Sequence, residues 1–236
     1  MKFHAPLLKG TLIKRYKRFM ADVTLETGDV VTAHCANSGS MLSVNEPGAE
    51  VWLSPAQNPE RKLKFTWEMI RIKRALVGIN TQHPNKLVAE AIEAGKVPEL
   101  AGLGALRCEV KYGKNSRIDI LLESDDGARC YVEVKNVTMR RDLTKGQPAE
   151  FPDGVTARGA KHLVELSDMV KEGHRAVMFY LMQRSDADAV TIARDIDPAY
   201  GEALDKARAQ GVEVLAYGCK LTPKDIRVAG RLDFLG

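Results

Sequence analysis

Two stretches decide how this chain is read: Ser116-Arg117-Ile118-Asp119-Ile120-Leu121-Leu122 and Tyr131-Val132-Glu133-Val134-Lys135-Asn136-Val137. Both are rich in β-branched and apolar residues. Asp125-Asp126-Gly127 between them is turn chemistry, so they predict neighbouring strands of one hairpin. Side chains two apart in a strand share a face, which puts Glu133 beside Lys135 and leaves Val132 and Val134 on the other side. Asp119 falls on the adjacent strand. Two carboxylates and a lysine on apolar strands are costly to bury unless something compensates them. A divalent cation is one compensation. Mg²⁺ or Mn²⁺ suits oxygen ligands and would polarise a scissile phosphate, with Lys135 positioning the attacking water or neutralising developing charge. Glu90, on a short helix ahead of the hairpin, is a third candidate carboxylate. A Glu–Lys ion pair on a wet sheet face, with Asp119 at an edge, fits the same spacing.

The surroundings of this hairpin read as mixed α/β. Residues 86–94 place Leu87, Ala91 and Ala94 at helical spacing before Gly95, and 106–112 is a further strand. Helices are predicted over 157–172 and 198–210, and strands over 175–182 and 212–217. The hairpin strands should pair antiparallel, and the helical crossovers should add parallel ones.

The first 80 residues follow another pattern. Phe19, Ala21, Val23 and Leu25 alternate with Met20, Asp22, Thr24 and Glu26, and 30–35 returns from a turn at Gly28-Asp29. Residues 51–53 form a short strand, and Leu63, Phe65, Trp67 and Met69 alternate against Lys62, Lys64, Thr66 and Glu68. Short strands without a long helix predict a small barrel of the oligonucleotide-binding (OB) type. Asn80-Thr81-Gln82-His83-Pro84-Asn85 breaks the pattern, so the expected domains are 1–82 and 83–236.

Charge is divided the same way. Residues 1–80 hold 12 Lys and Arg against 7 Asp and Glu, and the remainder holds 23 against 24, so the excess of +4 sits in the first third. The cations cluster as Lys14-Arg15, Lys17-Arg18, Arg61-Lys62, Lys64 and Arg71, Lys73-Arg74, among Tyr16, Phe19, Phe65 and Trp67. Cations interleaved with aromatics suit a nucleic acid, though a solvated basic face beside a small core has the same composition. Arg140, Arg141 and Lys145, on a long loop after Lys135, and Arg158 and Lys161, on the following helix, are further candidates for phosphate contact. His162 fits a proton shuttle or a packing residue.

With 44% hydrophobic and 28% charged residues the chain is of ordinary globular composition. Its longest apolar run, 176–182, is far short of the roughly 20 residues of a membrane helix. The start Met-Lys-Phe-His-Ala-Pro lacks the apolar stretch of a signal peptide. Cys35, Cys108, Cys130 and Cys219 are widely spaced, which predicts reduced thiols rather than disulfides or a zinc knuckle. A cytoplasmic protein is expected.

Four blocks of the second half carry a resemblance: Ser116-Arg117-Ile118-Asp119, the stretch from Tyr131 through Thr138, Phe151-Pro152-Asp153-Gly154-Val155-Thr156, and Arg158-Gly159-Ala160-Lys161-His162-Leu163-Val164-Glu165-Leu166. With His34-Cys35-Ala36-Asn37-Ser38-Gly39-Ser40-Met41 and the closing Gly211-Val212-Glu213-Val214-Leu215-Ala216-Tyr217, they resemble the bacterial sugar fermentation stimulation protein A family. The resemblance implies an OB-like barrel followed by a restriction-endonuclease-like α/β domain of the PD-(D/E)xK kind. Asp119, Glu133 and Lys135 match that motif, and Glu90 is the counterpart of its helix carboxylate, with Glu93 competing. It also implies sequence-independent DNA binding, a Mg²⁺ or Mn²⁺ site and a role in regulating sugar (maltose) metabolism. An active metal-dependent DNA nuclease is the alternative. Self-association is compatible with these residues and not required by them. Gly154 stands where the family pattern has alanine.

Overall fold

The computed structural model describes residues 1–113 and 116–236. The chain opens with β1 (Leu8–Tyr16), β2 (Met20–Leu25), β3 (Val30–His34), β4 (Glu50–Pro55), β5 (Phe65–Ile72) and β6 (Ala75–Gly78). β1 pairs antiparallel with both β2 and β4, β2 with β3, and β4 with β5. A short parallel pairing of β3 with β5 closes five strands into a barrel. Alternation explains the inward face: Ala21 and Val23 of β2 are fully buried, as are Val51, Leu53 and Trp67 across the interior. Each large apolar side chain buried this way contributes about 1.5–3 kcal/mol. Gly10 is required where β1 runs across the barrel, because a Cβ there would lie 2.6 Å from Val23 Cγ1 and 2.7 Å from the Thr24 carbonyl oxygen.

Two expectations for this half change, and one strand, β1, is additional to them. β1 has only a weak alternation and carries Gly10, Lys9, Lys14 and Arg15, so it does not stand out as a strand in sequence. Phe19, expected on a strand, lies in the β1–β2 turn and is 45% exposed. In that turn Lys17 and Arg18 adopt left-handed backbone angles, φ 46° and 64°. Thr66 and Glu68, expected on a polar face, are buried because the second half of the chain covers that side of β5.

The second half begins with α1 (Pro84–Glu93) and a short 3₁₀ turn, Pro98–Leu100, followed by β7 (Ala105–Tyr112), β8 (Ser116–Glu123), β9 (Arg129–Val137) and β10 (Ala149–Phe151). Then come α2 (Ala157–Lys171), β11 (Arg175–Met182), β12 (Ala189–Ile192), α3 (Pro198–Ala209), β13 (Glu213–Leu221), β14 (Ile226–Arg231) and β15 (Asp233–Phe234). The main sheet runs β14-β13-β11-β9-β8-β7. β7, β8 and β9 are antiparallel neighbours, and the crossovers through α2 and α3 add β11 and β13 parallel to β9. This is the expected mixed arrangement. A small parallel sheet, β10-β12-β15, and the antiparallel β14 complete it.

One face of the main sheet packs on α2 and α3 through Tyr131, Leu163, Leu166, Met178, Tyr180 and Leu204. The other face packs on α1 and also on the barrel: Trp52 and Met69 share a cluster with Leu87, Val88, Ile120 and Phe179. The two halves therefore meet through a continuous apolar core. All four cysteines are free thiols, with Cys108 exposed and the others buried. Among the described residues no helix is long and apolar enough to cross a membrane.

Candidate metal centre and nucleic-acid interface

The β8–β9 ladder pairs Glu123 with Arg129 and runs to Ile120 opposite Val132. One residue further, the Asp119 carboxylate takes over. Its Oδ2 accepts the Val134 N–H at 2.7 Å, and its Oδ1 accepts from Asn85 Nδ2, in the first turn of α1, at 2.8 Å. Burial, with the Glu133 charge added, pushes the Asp119 carboxyl up to about 6, against the pull of these hydrogen bonds and of Lys135.

Glu133 is 2% exposed. Lys135 Nζ donates to its Oε1 at 2.6 Å, and His162 Nδ1 from α2 contacts the same oxygen. Burial alone would raise this carboxyl, but the His162 hydrogen bond and the Lys135 charge outweigh it and hold Glu133 below the usual carboxylate range. Glu133 Oε2 has no partner among the described residues. Asp119, Glu133, Lys135 and His162 line a cavity of about 420 Å³ whose opposite wall includes Asn37 and Gly39 of the barrel.

That wall is built from both halves. Arg15 Nη2 donates to the carbonyls of Asn37 and Gly39, both at 2.9 Å, and Nη1 to that of Ser40 at 3.4 Å. The loop so held meets the loop after β10: Met41 N–H donates to Asp153 Oδ2 at 2.8 Å, and Ser40 Oγ to the Asp153 carbonyl. A Cβ on Gly39 would fall 2.8 Å from Asp153 Oδ2, so the close approach needs glycine. A Cβ on Gly154 would meet nothing within 4 Å, so its departure from the family alanine costs no contact. A second hollow of about 590 Å³, lined by Arg15 and Arg18, shares Ser38, Gly39, Phe151 and Asp153 with the first. Arg18 of the basic β1–β2 turn thus lines a hollow that adjoins the carboxylate cavity.

Several expected site residues are engaged elsewhere. Glu90 does not line the cavity. Its carboxylate lies 2.8 Å from the Met1 amino group and 3.9 Å from Lys86, and Asn85 stands where a helix carboxylate was expected. Glu93 lies with Glu90 in a separate hollow. Arg140, expected to reach phosphate, is 3% exposed and donates to the carbonyls of Gln147, Thr144 and Asp186. Its loop turns carbonyls inward, and a buried guanidinium satisfies them. Arg141 is clamped between Glu150 and Asp195.

Among the barrel cations, Arg15 holds the cavity wall, Arg61 donates to Thr66 Oγ1 at 3.0 Å, and Lys64 donates to the Pro59 carbonyl. Lys14 is 63% exposed over the Tyr16 ring, and Lys17, Arg18 and Lys62 are exposed. In the second half Arg158 lines the cavity. Lys161, half exposed, reaches Ser116 Oγ and lies 3.5 Å from Glu165.

Asn85 and Asp153 carry no sequence signal of their own, since each owes its role to a partner more than 30 residues away.

The donor set fits a hard divalent cation. Two carboxylates lie on adjacent strands, one with a bare buried oxygen and one whose ionisation burial opposes. Among the described residues no group of three or more His, Cys, Asp or Glu side chains could enclose a metal. Such a site suits an ion that keeps several waters, as Mg²⁺ does.

Residues 13–79 match the family model described as the SfsA N-terminal OB domain, and residues 82–225 match that of the sugar fermentation stimulation protein RE domain. A sugar fermentation stimulation protein homolog of Rhodospirillum rubrum is 61% identical over 230 residues, covering 94% of each chain. One from Geobacter metallireducens is 55% identical, covering 98% of each. The solved structure of Pyrococcus furiosus SfsA in complex with Ca²⁺ overlays with a TM-score of 0.86 at 25% identity, covering 99% of each chain.

Proposed function

The chain belongs to the sugar fermentation stimulation protein family, and on that footing we propose that it binds DNA without reading sequence and hydrolyses phosphodiester bonds with a divalent cation, Mg²⁺ or Mn²⁺, at Asp119 and Glu133. The observation that carries this reading is Glu133 itself, which lines a cavity that adjoins a basic turn and whose buried Oε2 has no partner among the described residues. A buried oxygen of this kind is costly unless it has a use. The Ca²⁺ in the Pyrococcus furiosus relative supports a hard cation in this fold.

Asp119 and Glu133 would hold the cation. When bound, it supplies charge stabilisation at the phosphate and activation of water. Lys135, held 2.6 Å from Glu133, orients the attacking water or neutralises the charge that develops on phosphate oxygens. Lys14, Lys17 and Arg18 bring the DNA backbone to the cavity mouth, and Arg158 and Lys161 flank it on the α2 side. These are phosphate contacts, so affinity is expected to fall steeply with salt. The link to sugar (maltose) metabolism is placed downstream of DNA binding.

The test is incubation of labelled single- and double-stranded DNA with Mg²⁺ or Mn²⁺ and either the native protein or Glu133→Gln. Metal-dependent cleavage lost in the variant, with DNA affinity kept, is the expected result. Cleavage that persists in the variant would sink the assignment. The displacement of Glu90 from the site favours a second reading, a DNA-binding regulator without turnover. Retention of DNA without cleavage under every condition would establish that reading instead.

A further inference from the structure

Glu133 offers its two oxygens unequally. Among the described residues, Oε1 receives both side chains that reach the carboxylate, Lys135 at 2.6 Å and His162 through Nδ1, while Oε2 receives none. The other ring nitrogen of His162 is also engaged: Arg158 Nε lies 3.3 Å from Nε2. A guanidinium only donates, so Nε2 accepts, and the proton of the neutral ring sits on Nδ1, where it is given to Glu133. The direction of donation runs from Arg158 through His162 to Glu133. His162 is 4% exposed, one helical turn beyond Arg158 in α2, whose start is fixed by Thr156 accepting the Gly159 N–H at 3.1 Å.

We infer that His162 is a positioning residue, held in one tautomer by Arg158, that turns Glu133 so that Oε1 is occupied and Oε2 is kept for a divalent cation. This rests on the cation reading above. Without His162 the one remaining donor among the described residues is Lys135, two residues along the same strand. Its flexible stem can follow either carboxylate oxygen, so it fixes neither. His162 comes from another element and approaches from a direction that β9 does not set. Partners one shell out from a metal ligand commonly change metal affinity by about 10–100-fold.

The test is a Mn²⁺ titration of the full chain without DNA, read by calorimetry or by loss of the free-ion electron paramagnetic resonance signal. It compares the native protein with His162→Ala, His162→Asn, His162→Gln, Arg158→Ala and Glu133→Gln. The amide of asparagine reaches the Nδ1 position and that of glutamine the Nε2 position. The Ala and Gln variants should bind Mn²⁺ about 10–100-fold more weakly, and Asn should stay within about 3-fold of native. Arg158→Ala should weaken binding by about 3-fold, since the ring keeps its nitrogen but loses the contact that fixes its proton. Thermal unfolding without cation shows that each variant is folded before it is titrated.

Native affinity in His162→Ala, with binding lost in Glu133→Gln, overturns the positioning role and leaves the cation reading standing. Equal losses in His162→Asn and His162→Ala overturn it too, because the donor at Nδ1 would then not be what matters. Native affinity in Glu133→Gln removes the cation reading itself.

Discussion

The barrel buries Glu68, the second domain buries Glu133 and Glu165, and the surroundings of Glu68 and Glu133 differ. Glu68 of β5 is 4% exposed and Glu133 of β9 is 2% exposed. Glu68 has a complete shell: Ser54 Oγ donates to Oε1 at 2.6 Å, and Asn80 Nδ2 at 2.9 Å and His83 Nε2 at 2.7 Å meet Oε2. Those partners belong to β4 and to the segment entering α1, so Glu68 joins the barrel to the second half. Burial alone would raise its carboxyl, but these hydrogen bonds outweigh it and hold it below the usual range. Around Glu133 the partners among the described residues crowd onto one oxygen and leave the other bare. A buried charge with both oxygens answered acts as a structural tie. One with an oxygen left bare is open to a group from outside the chain, which is the cation of the proposal above.

Replacing each residue tests that distinction, with the largest effect expected in the barrel. Glu68→Ala strands two buried groups, Ser54 and Asn80, and the half-buried His83, and should cost roughly 3–5 kcal/mol in urea unfolding, while the folded fraction binds Mn²⁺ as the native protein does. A loss of Mn²⁺ binding there would erase the contrast. Glu133→Gln should do the reverse, weakening Mn²⁺ by roughly 100-fold while unfolding stability moves by less than about 1 kcal/mol.

Asp119 sharpens the comparison through pH. Its native carboxyl, up to about 6, holds its proton more tightly than the unfolded chain does. The cation-free native state therefore loses stability as pH rises from the ordinary aspartate range through 6. Asp119→Asn should remove that slope and be more stable than native by about 3 kcal/mol at pH 7, with the gain vanishing near pH 4. Saturating Mg²⁺ should abolish it by stabilising the ionised native protein. An identical pH profile in native and variant would mean that Asp119 is not the strained carboxylate of the pair. The smallest effect is expected on the barrel surface, where neutralising Lys17 and Arg18 should reduce the slope of log affinity against log salt by about 1 each, measured by DNA titration.

The grouping of Asp119, Glu133 and Lys135 was legible because it depends on local rules, a two-residue strand period and a turn at Asp125-Asp126-Gly127. Glu90 was misplaced because the rotation of α1 against the sheet is a tertiary matter. Residues 85 and 90 are about 140° apart around a helix axis, so the turn that offers Asn85 to Asp119 carries Glu90 away to Met1. Arg140 looked like a phosphate ligand because the sequence gives no sign of which loop carbonyls turn inward. The strands β10, β12 and β15 are three, four and two residues long, too short for a period to emerge. Glu68 looked solvent-facing because the surface that covers it is built by residues further along the chain.

The apolar core shared by Trp52, Met69, Leu87 and Phe179 has a mechanical consequence. A binding module on a flexible tether raises the local concentration of its ligand over a volume and leaves the catalytic groups to find it by diffusion. Here only five residues separate β6 from α1, and both sides of that junction are packed. The barrel therefore behaves as a jig rather than a leash. Whatever lies along the β1–β2 turn is presented to the Asp119–Glu133 cavity at one distance and one angle.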